Sequence, residues 1–342
     1  MVRMFNRFYV LCALAVGTIL TSAWFLTSRR LSDILPLPVG QFQVTSTFDQ
    51  RLVVFGDSWS DNSNSTANSQ GPIWTDWLCS MMSCHQENLA QTASPLRGRN
   101  LGAVVDNHEL DLLGRLSQTR LADFESQLEE WLAAESSLDL SEEAVRYRQN
   151  HTIFVVSFGV WDLWSLIGND YDTARQSIER RIARIMEHLD DLSARWSTSE
   201  LKVILTQTVD VTFLPGFDSA EPSKDVVRLL GDWNLKLREA ATKWAHGTIY
   251  LFDTNGFVMD RIRDYQLYAA GIEEESGLGQ NSDGWMNVME PCVASGFQVM
   301  MSKEKTQCEQ PETYLFWNEM HLGPSAHHLW AREIYRGIDE IF

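Results

Sequence analysis

Leu52-Val53-Val54-Phe55-Gly56-Asp57-Ser58-Trp59-Ser60-Asp61-Asn62 is the stretch on which the fold turns. Four consecutive apolar residues run into Gly-Asp-Ser. That predicts a strand buried on both faces, closed by a strand-to-helix turn. Similar short runs stand at Thr152–Phe158, Leu201–Thr206 and Thr248–Phe252. Helical periods separate them. The clearest is Tyr171–Trp196, where Ile178, Ile182, Ile185, Met186 and Leu189 recur at three- and four-residue steps. Others run over Leu121–Ala134, Asp225–Trp244 and Pro324–Ile341. Buried strands alternating with amphipathic helices predict an α/β fold, a three-layer doubly wound parallel sheet. In such sheets ligands bind beyond the carboxyl ends of the strands, which directs attention to Gly56-Asp57-Ser58, Gly159-Val160-Trp161-Asp162 and Thr208-Val209-Asp210.

The 342 residues carry 28 Lys and Arg against 46 Asp and Glu, a net charge of −18 that repels polyanions and argues against nucleic-acid binding. Residues 8–28 contain no charge and are flanked by Arg3, Arg7, Arg29 and Arg30. Residues 1–30 thus read as a signal anchor or a cleaved signal peptide, with entry to the secretory pathway and a lumenal or extracellular chain beyond. Residues 31–50, with Pro36, Pro38 and Gly40, read as a linker, and 51–342 as the folded domain. Apart from Cys12 inside the apolar segment, the cysteines are Cys79, Cys84, Cys292 and Cys308. Four can pair in three ways, of which the local pairs 79–84 and 292–308 are the simplest. The sequons at Asn64 and Asn150 fit the same compartment. Residues 271–310 read as a long irregular loop pinned by the second pair.

Ser58 sits where a hydroxyl can face a pocket while its N–H points at an anion. A serine nucleophile needs a neutral imidazole within reach, and Trp317-Asn318-Glu319-Met320-His321-Leu322-Gly323-Pro324 places a histidine just before the last helix. With these two blocks, at opposite ends of one α/β pattern, the chain resembles the GDSL (SGNH) hydrolase family of esterases and lipases from about residue 51 onward. The cysteine-bounded loop before the Phe316-Trp317 block resembles its secreted fungal branch, which includes carbohydrate acetylesterases. The resemblance implies a flavodoxin-like sheet, Ser58 as nucleophile, His321 as base and no metal or organic cofactor. The implied substrate is an acylated carbohydrate or, alternatively, a lipid ester.

Two positions depart from the family pattern. Asn318 stands where the family has the triad Asp, and in a serine protease that change costs about 10⁴ in rate through the wrong imidazole tautomer. Trp161 stands where the family has the oxyanion-hole Asn, leaving its indole N–H as the substitute donor. Ser58 and Gly102 are expected to give the backbone N–H groups, with Asn88-Leu89-Ala90 as a rival to Gly102. These departures keep a second class of function open, a catalytically silent glycan-binding relative. Glu319 reads as a solvated acid, Asp57 as a turn former, and His327 and His328 as helix-surface residues rather than metal ligands. Trp59, Trp74, Trp77, Trp161, Trp164 and Trp317 read as core first, with a sugar platform as the functional alternative for some.

Overall fold

The computed structural model describes residues 48–63, 70–92, 102–110, 121–198, 200–217, 223–272, 285–293 and 307–342. The apolar segment 8–28, residues 31–47 of the linker and the Asn64 sequon lie outside them. Among the described residues no helix is long and apolar enough to cross a membrane.

In chain order the main elements are β1 (Arg51–Gly56), α1 (Trp74–Met82), β2 (His85–Asn88), α2 (Phe124–Ser136), α3 (Glu142–Asn150), β3 (Thr152–Ser157), α4 (Val160–Trp164) and α5 (Tyr171–Arg195). They continue as β4 (Leu201–Thr206), α6 (Ser223–Lys243), β5 (Gly247–Phe252), α7 (Thr254–Ala269), β6 (Asn287–Pro291), β7 (Tyr314–Phe316) and α8 (Pro324–Ile338). Five strands form one parallel sheet in the order β2-β1-β3-β4-β5. This is the doubly wound flavodoxin-like order, whose switch point falls between β1 and β3.

Alternation along each strand divides the core in two. Val53, Phe55, Phe154, Val156, Val203 and Leu205 face α2, α5 and α6. Leu52, Val54, Ile153, Val155 and Ile204 face α1, α7 and α8, where Trp74 stacks on Trp330 with ring centroids 4.6 Å apart. The four expected strands are present within a residue or two. The expected helix from Leu121 begins instead at Phe124, because the Asp123 carboxylate caps it by accepting from the Ser126 N–H. The polar edge strand β2 has no apolar run to announce it.

Residues 271–310 are more than a loop. They contain β6, which pairs with β7, and the disulfide Cys292–Cys308; residues 273–284 and 294–306 lie outside the description. The second disulfide joins Cys79 to Cys84 at the end of α1. Phe48, counted with the linker, lies against the Arg51 and Arg148 guanidiniums and so packs on the domain.

Candidate active site

Four segments converge beyond the carboxyl ends of β1 and β3. The first is the turn after β1, held by backbone and side chain together. The Asp57 N–H donates to the Ser157 carbonyl, the Ser60 N–H to the Asp57 carbonyl, and the Trp59 N–H to Asp57 Oδ1. Asp57 thus shapes the turn, and burial pushes its carboxyl well above the ordinary range, against the Trp59 N–H and reinforced by the charge of Asp162. From one side, the buried Gln127 amide both donates to and accepts from the Gly56 main chain, at 2.9 and 2.8 Å. From the other, Asn88 Nδ2 donates to the Ser60 carbonyl at 2.7 Å. Neither Gln127 nor that role of Asn88 was expected. A signal existed for the first: Gln127 lies on the apolar face of α2 with Phe124, Leu128 and Trp131, where an amide needs a partner.

The second segment is the tight turn between β7 and α8. The Trp317 N–H donates to the His321 carbonyl, and the N–H groups of Met320 and His321 both donate to Asn318 Oδ1 at 2.9 Å. Those two donors identify the inward amide atom as oxygen. His321 Nδ1 lies 3.0 Å from the same oxygen, so that nitrogen carries the proton. Nε2 is therefore the lone-pair nitrogen, and it lies 2.8 Å from Ser58 Oγ. The far end of the chain agrees. Trp161 Nε1–H, which can only donate, points at Ser58 Oγ at 2.8 Å, leaving the hydroxyl proton to go to Nε2. The tautomer expected to suffer at Asn318 is thus the one a general base needs. Burial depresses His321 to about 4.

The third and fourth segments are α4, which carries Trp161, and residues 102–110. Gly159 opens α4 at φ +129°, and a Cβ there would lie 2.8 Å from the Thr208 Cβ, so only glycine fits. At Gly102 a Cβ would lie 2.2 Å from Trp161 Nε1 and 2.7 Å from Ser58 N. Gly102 therefore lies between the Ser58 amide and the indole. In the rival Asn88-Leu89-Ala90, Asn88 ends β2 and touches the Ser58 turn through the Ser60 carbonyl, the Ala90 N–H donates to Asn88 Oδ1, and Leu89 is fully buried in the core.

His327 corrects its surface assignment. It is buried, with Nδ1 accepting from the Trp74 N–H at 3.3 Å and Nε2 3.2 Å from the Gln70 amide nitrogen. Burial, with the charge of His321 adding, depresses it to about 3. His328 packs edge-on to Trp77, with ring centroids 4.8 Å apart. Glu319 is half-buried, its main-chain carbonyl accepting from the Gly216 N–H. Trp59, Trp74, Trp161 and Trp317 are buried, whereas Trp77 and Trp164 are half-buried, and Trp164 lies edge-on to Phe217. Among the described residues no three His, Cys, Asp or Glu side chains are grouped to hold a metal ion.

No family model matches the sequence, and no curated protein is similar to it. Solved structures that superpose on it include Axe2, an acetylxylan esterase from Geobacillus stearothermophilus, at 10% identity and a TM-score of 0.36, covering 84% of this chain and 94% of that one. A second is LAE5, an alpha/beta hydrolase enzyme from the metagenome of Lake Arreo, Spain. It has 13% identity and a TM-score of 0.36, covering 85% of this chain and 95% of that one. Superpositions at this level fix neither substrate nor mechanism.

Proposed function

We propose that the chain is a serine-dependent hydrolase of carboxylic esters, of GDSL (SGNH) type and akin to its acetylesterase branch, acting on short acyl groups carried by carbohydrate. The observation that carries the reading is the directed relay Trp161 N–H to Ser58 O–H to His321 Nε2, with Asn318 behind the ring. Ser58 Oγ attacks the acyl carbon as its proton passes to His321 Nε2. The tetrahedral oxyanion is received by the Ser58 and Gly102 amides and by the Trp161 indole, which is freed from Oγ as that atom becomes an ester oxygen. Collapse expels the alcohol, protonated by His321. Water, deprotonated by the same nitrogen, then releases the acid and restores Ser58. The indole lies against Gly102 beside the nucleophile, which favours a small acyl group, and half-buried Trp164 and Phe217 offer aromatic edges to a sugar.

The two disulfides and the exposed Asn150 sequon support a chain that enters the secretory pathway through residues 8–28, as anchor or signal. The absence of a carboxylate at position 318 favours a second reading, a silent glycan-binding relative. Hydrolysis of p-nitrophenyl acetate by the purified domain, together with fluorophosphonate labelling mapped to Ser58, separates the two. Turnover with labelling is expected. Folded protein that binds glycan but shows neither overturns the enzymatic reading.

A further inference from the structure

Directly behind the candidate site lies a fully buried ion pair that the relay does not use. Asp162 follows Trp161 in α4, and Arg181 lies in α5; both side chains are 0% exposed, and Arg181 Nη1 is 3.0 Å from Asp162 Oδ1. Asp162 also accepts from the Val105 N–H, at 3.1 Å to one carboxylate oxygen and 3.3 Å to the other. The guanidinium reaches further. It donates to the Asp162 carbonyl at 2.9 Å, to Ser165 Oγ at 3.1 Å and to the Glu109 carbonyl at 3.1 Å. Arg181 therefore holds α4 through the Asp162 carboxylate and carbonyl and its C-cap through Ser165, and the pair meets residues 102–110 at Val105 and Glu109. The same segment is fastened a second time where Glu109 pairs with Arg180 and accepts from Ser177.

Energy alone does not account for two full charges here, since a buried ion pair is often replaced by apolar residues of similar volume at no loss of stability. Its geometry does. The two elements it joins are the ones that carry the two non-nucleophile donors of the site. Trp161 immediately precedes Asp162, and Gly102 lies three residues before Val105. A Cβ at Gly102 would lie 2.2 Å from the indole nitrogen, so the two elements approach as closely as only glycine allows.

We propose that Asp162 and Arg181 are positioning residues that set the distance between the Gly102 amide and the Trp161 indole, and so define the anion-binding side of the site. The inference rests on the ester-hydrolase reading for its catalytic consequence, but not for its geometry. A displacement of about 1 Å in such a constellation costs on the order of 10² in rate.

Two variants and two readouts test it. Asp162→Asn keeps the shape and removes the charge, and Arg181→Lys keeps the charge but cannot hold Asp162 and Glu109 together. For each, kcat is measured per fluorophosphonate-titrated serine, alongside KM for p-nitrophenyl acetate and Ki for a trifluoromethyl ketone analogue. The expected result is a kcat lower by about 10², KM within a factor of about 3, and Ki raised in proportion to the loss of kcat/KM. The second readout is hydrogen exchange at the Trp161 indole N–H by NMR, assigned with Trp161→Phe. It should quicken by at least about tenfold in both variants as the spacing loosens. An unchanged kcat per titrated serine, or a kcat loss with no matching change in Ki, overturns the proposal. Should Asp162→Asn fail to fold, Arg181→Lys decides alone. Wild-type protein without turnover or labelling would defeat the hydrolase reading, and indole exchange would still decide the clamp: unchanged exchange in a folded variant overturns it.

Discussion

At the amino ends of the strands, Arg51 and Arg148 share the Glu135 carboxylate, Arg51 also reaches Glu87 and Thr152, and Trp131 Nε1–H donates to Glu87. At the carboxyl ends, Ser58, His321, Asn318 and Trp161 are linked as tightly, yet none of the four carries a formal charge in the relay. Both assemblies are buried except for the half-buried Asn318. Burial pushes the Glu135 carboxyl up, but hydrogen bonds to Arg148 and Arg51 and the charges of both arginines outweigh it and hold Glu135 below the usual range. At His321 burial acts with no neighbouring carboxylate to oppose it, and the imidazole falls to about 4. Ionised groups thus hold one end of the sheet in a fixed charge state, while at the other end the relay itself is neutral and the Asp162–Arg181 pair stands behind it, so that a proton can move between oxygen and nitrogen without first breaking an ion pair.

The largest expected effect separates the two ends by activity. Ser58→Ala or His321→Ala should lower the esterase rate by about 10⁴ to 10⁶, and the double variant should be little worse, because groups acting as one unit are not additive. Calorimetry should show the fold intact in both. A single variant that keeps its rate removes that residue from the mechanism.

The converse experiment strikes the ionised end. Glu135→Gln leaves two buried guanidiniums facing a neutral amide and should cost about 3–5 kcal/mol in urea unfolding. The rate per titrated serine in the folded fraction should not change, since Glu135 belongs to the opposite end of the sheet from Ser58. A stability loss under about 1 kcal/mol would mean that the network carries no net charge compensation.

Stability against pH gives a smaller effect with a defined sign. His321 and His327 have depressed folded values, about 4 and about 3, so at acid pH the unfolded chain binds protons that the folded chain refuses. Their contribution is present above the ordinary histidine value near 6.5 and is lost as pH falls toward the folded values. Asp57, Asp61, Asp76 and Asp162, all raised by burial, act in the opposite sense: their contribution is present at low pH and lost as pH rises through their folded values. The difference between variants isolates one proton. His327→Leu should flatten the slope of unfolding free energy by about 1.4 kcal/mol per pH unit between pH 6 and 4, whatever it does to absolute stability. An unchanged slope would mean that His327 is protonated in the folded protein.

The contrast between the ends also explains what could be read from the sequence. The four apolar strands and the helices α5, α6 and α8 announce themselves by period, because burial on one or both faces dictates residue type. β2, His85-Gln86-Glu87-Asn88, does not, since its inward Glu87 is tolerated only because Arg51 and Trp131 meet it from elsewhere in the chain. The site behaves likewise. Ser58 and His321 could be named because a turn after a buried strand and a histidine before a proline-led helix are local patterns, whereas Gly102 and Trp161 could be named only through the resemblance to the GDSL (SGNH) family. The burial of His327 and the grip of Gln127 on Gly56 depend on partners 253 and 71 residues away that no local pattern encodes, whereas the direction of the Asn318 amide is set within its own turn by the N–H groups of Met320 and His321.

Asn318→Asp brings a charge to the neutral relay and has the smallest expected effect on rate. The carboxylate would inherit the N–H bonds of Met320, His321 and His321 Nδ1, so no donor loses its acceptor, and the two backbone donors favour its ionised form. An opposite charge at that distance raises an imidazole by about 1–3 units, so the acid limb of kcat/KM should move up from near 4 by that amount. Because the native amide already holds the Nδ1–H tautomer, the gain at neutral pH should fall far short of the roughly 10⁴ lost when an Asp-to-Asn change misplaces the proton. The two profiles should therefore cross, the variant ahead at pH 7 and the native protein ahead near pH 5. A full gain of about 10⁴ would show that the native ring carries its proton on Nε2, and an unmoved limb in folded protein would show that position 318 does not face the ring.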